Sequence, residues 1–497
     1  MMRWLLSLVL LVIASAAQAQ TSCPPIPFIF QQGAPFNAPQ VNTNFSHLRD
    51  CFVPGPGTSG DLQWASNNTE LKALTDISKT VLRAGFASPG DGGSMIYNHS
   101  TIPCSLNGGE GDNGAQVKAA PGIGGGCWLA DFSYTPSKAS VKVWGARGDS
   151  AGDDAPAFRA ACAYALSDAG NGTSILVPTG RYELRTADPR DAGVLYLSTG
   201  ADNGRSCSLI GTESAMDYPS GASYGGPATL ALGPGVNRPL IYIPVMGSSP
   251  HIKNLTLHGS KTTQSGWAGG PNGKLYIVQV QDAVLGLNTF PETGPIWDDV
   301  VLESGYNGNL YVGSGRYNWS QRLWSMYAGQ DATDCSVWEQ GYDTQHIQPA
   351  IGNNTGCGMY VASGSQHQIN GGAIWSNTAA GLQLGGLQVN YMSIVGTNFQ
   401  YNTYGIYNLN YAPFAGTSAA SITCTNCVFD GNTQADVYIA DGLQINRQMK
   451  LISPAFIGNL AVASPKPVYN IEIAGVTIGA GIVDIITPSL GSAGNPF

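Results

Sequence analysis

Beyond about residue 195 the chain shows no helical periodicity, and short apolar runs separated by glycine and asparagine take its place. Four segments share one frame: "AIWSNTAAGLQL", "NFQYNTYGIYNL", "VFDGNTQADVYI" and "AFIGNLAVA". Each places an apolar residue three before an asparagine, and that asparagine three or four before another apolar run. The leading residues are Ile374, Phe399, Phe429 and Phe456, at steps of 25, 30 and 27. The frame extends backwards through Leu302, Tyr327 and Ile351, at steps of 25, 24 and 23. A repeat of this length, made of strand without helix, predicts a coil of stacked strands in which each turn buries its inner face against the next. Asn377, Asn402, Asn432 and Asn459 are then expected to stack at one corner, each amide bonded to its copies above and below, in a structural role.

A solenoid exposes apolar core and unpaired strand edges at its ends, so it needs caps. The run "GDSAGDDAPAFRAACAYAL" supplies one: Phe158, Ala161, Cys162, Ala165 and Leu166 form one apolar helical face, and Asp153, Asp154 and Pro156 mark its start. Asp149, Asp153 and Asp154 are therefore read as turn and cap residues. Upstream lies a Pro- and Gly-rich module with two predicted helices, "APQVNTNFSHLRDCF" and "ELKALTDISKTVL". The first residues read differently again. Arg3, the apolar run Trp4 to Ile13 and the small-residue tail "ASAAQA" have the form of a secretory signal cut after Ala19. The expected organisation is a signal peptide at 1–19, a small module at 20–137 and a solenoid at 138–497, in a secreted chain, extracellular or periplasmic.

Composition narrows the function. The chain has 65 glycines, 11% charged residues and a net charge of -9, against roughly a quarter charged in an ordinary soluble domain. Such a surface suits neither nucleic acid nor anionic lipid, and no apolar run is long enough to span a bilayer. All ten cysteines follow the signal, which permits disulfides. "CTNC" at Cys424 to Cys427 lacks the second pair that a zinc site wants, so no metal is expected.

The string "VKVWGARGDSAGDDAPAFRAA", followed by "ILVPTGRYEL", "CSLIGT" and "IKNLTLHG", resembles the opening of the pectate lyase superfamily, which includes rhamnogalacturonase-like enzymes and phage tailspike depolymerases. Trp144, Ser150 and Ala155 depart from that family's usual Phe, Gly and Thr. The resemblance implies an all-β fold, a right-handed single-stranded parallel β-helix with an N-terminal capping helix and a small N-terminal module, and a polysaccharide substrate. "NAPQVNTNF" and "AGFASPGDGGSMIY" are similar to segments of phage tail proteins. Family likeness does not transfer active-site residues, because the superfamily hosts hydrolases, lyases and epimerases.

Chemistry has one natural place. From His346 to Phe429 there is no Asp, Glu, Lys or Arg, whereas Lys261 to Asp343 is rich in carboxylates and aromatic rings. Glycoside hydrolysis needs two carboxyl groups; Asp331 or Glu303 is expected as general acid, with Asp334 or Asp299 as the base that activates water. Asp298 and Asp299 are a rival pair, of which strand alternation leaves one available. Trp319, Trp324 and Trp338 are the expected sugar platforms, with Arg316 and Arg322 beside the substrate. A lyase would use Arg316, Arg322 or Lys274 near calcium; the hydrolase needs no cofactor. The "GHG" of polygalacturonases is missing. His258 in "LTLHG" reads as a turn residue. The rival from another class is a non-catalytic carbohydrate-binding or adhesive solenoid, a homotrimer like the phage proteins it resembles.

Overall fold

The computed structural model describes residues 62–121, 126–134, 138–198, 205–215, 228–244, 249–281, 294–313, 318–385, 389–408, 420–439, 447–457, 469–473, 483–486 and 489–490. The expected signal peptide, the first predicted helix, Arg316 and Asn459 lie outside them.

Among the described residues there are three sheets, of twenty, ten and five strands. The two larger ones form a parallel β-helix, each strand pairing in parallel with its equivalent one turn away, as in Ile296–Glu303 with Trp319–Met326. Every turn visits the twenty-stranded sheet and then the ten-stranded one. The larger sheet is itself folded into two limbs along a column of left-handed residues in register: Asn254, Asp299, Arg322, Gln348, Gly371, Gly396, Asn426 and Ser453. The first limb carries Ile296 to Asp298 and its equivalents, and the second carries Val300 to Glu303 and its equivalents.

The inward column of the second limb is the repeat seen in the sequence. Ile374, Phe399, Phe429 and Phe456 pair in that order, and the three phenyl rings stack with centroids 5.4 Å apart. Burial of each such ring contributes roughly 1.5–3 kcal/mol. One upstream assignment of the frame needs correction. The partner of Leu302 and Ile351 is Ser325, which is buried, and not Tyr327, which is 41% exposed and left-handed. A search for apolar residues passes over Ser325 because its hydroxyl is satisfied internally by Asn309 and Ser336.

The asparagine ladder is present and begins one turn earlier than expected. Asn354 Nδ2 donates to Asn377 Oδ1 at 2.8 Å, Asn377 to Asn402 at 2.9 Å and Asn402 to Asn432 at 3.3 Å; Asn432 then donates to Asp436 Oδ1 at 2.7 Å. Small residues make room for it: a Cβ on Gly358 would lie 2.8 Å from Asn377 Nδ2.

The capping helix spans Ala155–Leu166 and buries Phe158, Ala161, Cys162 and Ala165. The aspartates before it serve backbone. Asp154 accepts from the amides of Arg147 and Gly148, Asp153 from those of Ala155 and Arg185, and Asp149 from Ala151. Asp154 occupies the N-cap position, but its side chain closes the preceding turn and not the first helical turn.

The five-stranded sheet, in the order Leu62–Ala65, Thr80–Arg83, Met95–Ser100, Cys127–Ala130, Gln116–Lys118, precedes the coil. The helix predicted over "ELKALTDISKTVL" is confined to Asn68–Ala73; Thr80–Arg83 is a strand, where β-branched Thr80 and Val81 are at home. Arg83 is fully buried and donates to Gly93 O, Asn68 Oδ1 and Val143 O, tying this sheet to the start of the β-helix. Cysteines pair as Cys104–Cys127, Cys162–Cys207, Cys335–Cys357 and Cys424–Cys427, so "CTNC" is a disulfide.

Candidate functional site

The strand Ile296–Glu303 presents its last residues on the outer side of the second limb. Leu302 points into the core, so Val301 and Glu303 point out. Parallel register puts Glu303 between His258 on one side and Met326 on the other, and Val301 beside Trp324. One predicted carboxylate and one predicted sugar platform thus share a face.

Glu303 is only 5% exposed and its Oε1 has no hydrogen-bond partner. Burial pushes its pKa up to about 7, opposed by the nearby charge of Arg181. Arg181 also acts on His258, whose pKa burial and that guanidinium drive down to about 4. The result at neutral pH is a neutral imidazole, a guanidinium and a carboxyl group poised to hold or lose its proton. A carboxyl with this environment can act as an acid near neutrality. His258 ends its strand, and its Nδ1 accepts from the amide of Ser260 at 3.1 Å. It is a strand residue facing the same way as Glu303; the sequence offered no periodic cue for this.

Asp298 and Asp299 both lie outside the core, because the left-handed bend at Asp299 interrupts strand alternation. This corrects the expectation that only one of them is available. Asp298 pairs with Lys253 and Asp299 with Arg322. Burial raises the pKa of Asp299, and Arg322 opposes it. Asp299 sits on the same strand as Glu303, four residues earlier.

Asp331 and Asp334 are elsewhere, in the loop leading to the ten-stranded sheet. Asp334 is 1% exposed and its carboxylate is occupied by Lys274 Nζ at 2.8 Å, the amide of Gln330 at 2.8 Å and Asn307 Nδ2. Asp331 accepts from the amide and hydroxyl of Thr333, and these bonds hold its pKa low. These bonds shape the loop. Trp319 and Trp338 are also apart from Trp324: Trp319 is on the first limb, and Trp338 is on the ten-stranded sheet against Tyr360, with ring centroids 4.2 Å apart. Arg322 is held by Asp299.

A second polar constellation lies inside the coil. Ser320 Oγ is 2.6 Å from His346 Nδ1, and His346 Nε2 is 2.9 Å from Glu339 Oε1, which also accepts from Asn318 Nδ2. Burial works against the charge of Glu339, but His346 and then His367, whose Nδ1 is 3.8 Å from Oε2, outweigh it and hold the pKa well below the usual range. All of these groups are at most 1% exposed. The connectivity resembles a serine–histidine–carboxylate relay, but its closure on all sides makes it an internal brace. Serine and histidine at inward positions, Ser320 and His346, are the signal that sequence reasoning passed over.

No protein-family model and no curated protein matches the chain by sequence. Its fold does match solved structures. Full-length tailspike protein 2 of the Escherichia coli O157:H7 bacteriophage CAB120 aligns at 13% identity and TM-score 0.55, over 89% of this chain and 57% of that one. The enzymatically active domain of bacteriophage CBA120 tailspike protein 2 aligns at 12% identity and 0.58, over 89% and 64%. The Acinetobacter phage vB_ApiP_P1 tailspike protein aligns at 13% and 0.53, over 86% and 70%. The fold is therefore a parallel β-helix of the kind found in tailspike proteins. The chain spans 57% of the length of the full-length tailspike.

Proposed function

We propose that the chain is an exported, carbohydrate-active β-helix protein that cleaves an extracellular or cell-surface polysaccharide by hydrolysis. Glu303 is its general acid and Asp299 the base that activates water. The observation that carries this reading is the environment of Glu303: buried, one oxygen unpartnered, pKa raised to about 7, on an outer face that also carries Trp324 across from Val301. In hydrolysis the carboxyl protonates the glycosidic oxygen as the C–O bond breaks, and a water deprotonated by the second carboxylate attacks the anomeric carbon. The tailspike-like fold supports the substrate class and assembly as a trimer. Asp299, to which the second role is assigned, is ion-paired with Arg322.

The test is incubation of the purified protein with acidic and neutral bacterial and plant polysaccharides, following reducing ends and the ultraviolet absorbance of unsaturated uronates. Reducing ends without absorbance, lost in Glu303→Gln, are expected. Absorbance rising with reducing ends would replace hydrolysis by elimination. Retention on a polysaccharide without either signal would leave a binding or adhesive solenoid.

A further inference from the structure

The outer column of the second limb that contains Glu303 continues in register through Met326 and Gly352 to Trp375. At Gly352 the indole of Trp375 leans back over the neighbouring turn. A Cβ on Gly352 would lie 2.4 Å from Trp375 Cε2, 2.6 Å from Cδ2 and 2.8 Å from its carbonyl oxygen. Gly352 is not in the left-handed region, so its backbone conformation does not demand glycine. What forbids a side chain there is Trp375.

Trp375 is half-buried and has no aromatic partner among the described residues. This sets it apart from the rings on the ten-stranded sheet, where Trp338 packs on Tyr360, and Tyr407 stacks on Tyr438 at 4.9 Å. Those rings satisfy one another, whereas the indole of Trp375 is seated on a glycine. Its flanks are set by register: Ala350 and Ala373 in the neighbouring column are small, and the next turn brings Asn398 and Gln400. From Glu303 to Gly352 is two strand spacings, about 10 Å, a distance that a short run of sugar units can cover.

We propose that Trp375, seated over Gly352, is a glycan-binding subsite on an axis-parallel line with Glu303, and that it takes an uncharged, hydroxyl-bearing sugar unit. The inference rests on the hydrolytic reading above. The class of ligand follows from the surroundings. Aromatic faces favour the C–H faces of sugars and amides bind hydroxyls, while the chain from His346 to Phe429 contains no Asp, Glu, Lys or Arg to select a charged unit. Trp375 would hold the chain at a distance from the scissile bond, so its contribution falls on binding and not on the bond-breaking step.

The experiment measures kcat and KM of the full-length wild type, Trp375→Ala, Trp375→Phe, Tyr407→Ala and Glu303→Gln on the polysaccharide that the wild type cleaves. Trp375→Ala is expected to raise KM about tenfold with kcat within about twofold, and Trp375→Phe to restore much of the loss. Tyr407→Ala, on the ten-stranded sheet, should leave both constants near wild type. If Trp375→Ala melts early, Trp375→Phe carries the comparison, with a smaller rise in KM. An unchanged KM in Trp375 variants, or a loss confined to kcat, overturns the subsite while the hydrolase stands. Full turnover by Glu303→Gln overturns the role of Glu303 and the line drawn from it.

Discussion

At the scale of the residue, burial decides which carboxylates matter. Glu303 and Asp436 are both raised to about 7 by burial, and both should reveal themselves through pH. For Glu303 the folded value lies above the ordinary glutamate value of 4.5. The raised value therefore costs the folded state nothing below about 4.5, and the cost grows as pH rises from there to about 7, above which it is complete. Glu303→Gln should raise stability at pH 8 by roughly 3 kcal/mol while abolishing turnover, and wild-type kcat/KM should fall as pH rises through about 7. Denaturant titrations at pH 5 and pH 8, beside a pH–rate profile, check both halves. Asp436 has no place in the proposed chemistry. It ends the asparagine ladder, accepting from Asn432 Nδ2, and Asp436→Asn should stabilise by roughly 4 kcal/mol at pH 8 and by little at pH 4, with turnover unchanged.

At the scale of the element, the unit is the turn and its side-chain ladder. Asn402 accepts from the amide and the Nδ2 of Asn377, and donates to Ile374 O and to Asn432. Asn402→Ala would leave several buried groups unpaired at once and should destabilise by about 2–4 kcal/mol, read as a shift in denaturant midpoint. The same ladder explains why the asparagines stand out in the sequence: each occupies one fixed corner, so its spacing equals the length of a turn. The left-handed column of Asn254, Asp299 and Arg322 has no such legibility. Asparagine, aspartate, arginine, glutamine, serine and glycine fill it from turn to turn, and the bend they make is what brings Asp298 and Asp299 to the outer side together.

At the scale of the whole molecule, the N-terminal sheet is coupled to the coil through a buried cation. Arg83 bonds Val143 O and Gly93 O at 2.8 Å each and lies over the rings of Phe86 and Tyr97. Trp144 adds a second tie, donating to Asp112 and stacking on Phe132. Arg83→Met should strand these carbonyls, lower stability by about 3 kcal/mol and open the five-stranded sheet to limited proteolysis before the coil unfolds. Simultaneous loss of both parts in a single transition would show that the coupling runs through more than Arg83. No helix among the described residues is long and apolar enough to cross a membrane.

Read by itself, the sequence determined the coil. The spacing of Ile374, Phe399, Phe429 and Phe456, the corner asparagines and the capping helix at Ala155–Leu166 are local or strictly periodic features, and periodicity survives translation into stacked strands. It also singled out an acidic, aromatic stretch, within which Glu303 and Trp324 share one face. Tertiary structure alone decided the rest. Whether Asp334 faces a substrate or a lysine depends on Lys274, 60 residues away; whether His258 is a turn or a neighbour of Glu303 depends on strand register; and Trp375 gains its seat only because the preceding turn offers a glycine beneath it. These are contacts between turns, and a one-residue shift in any connecting loop would redraw them without altering the apolar pattern that the sequence displays.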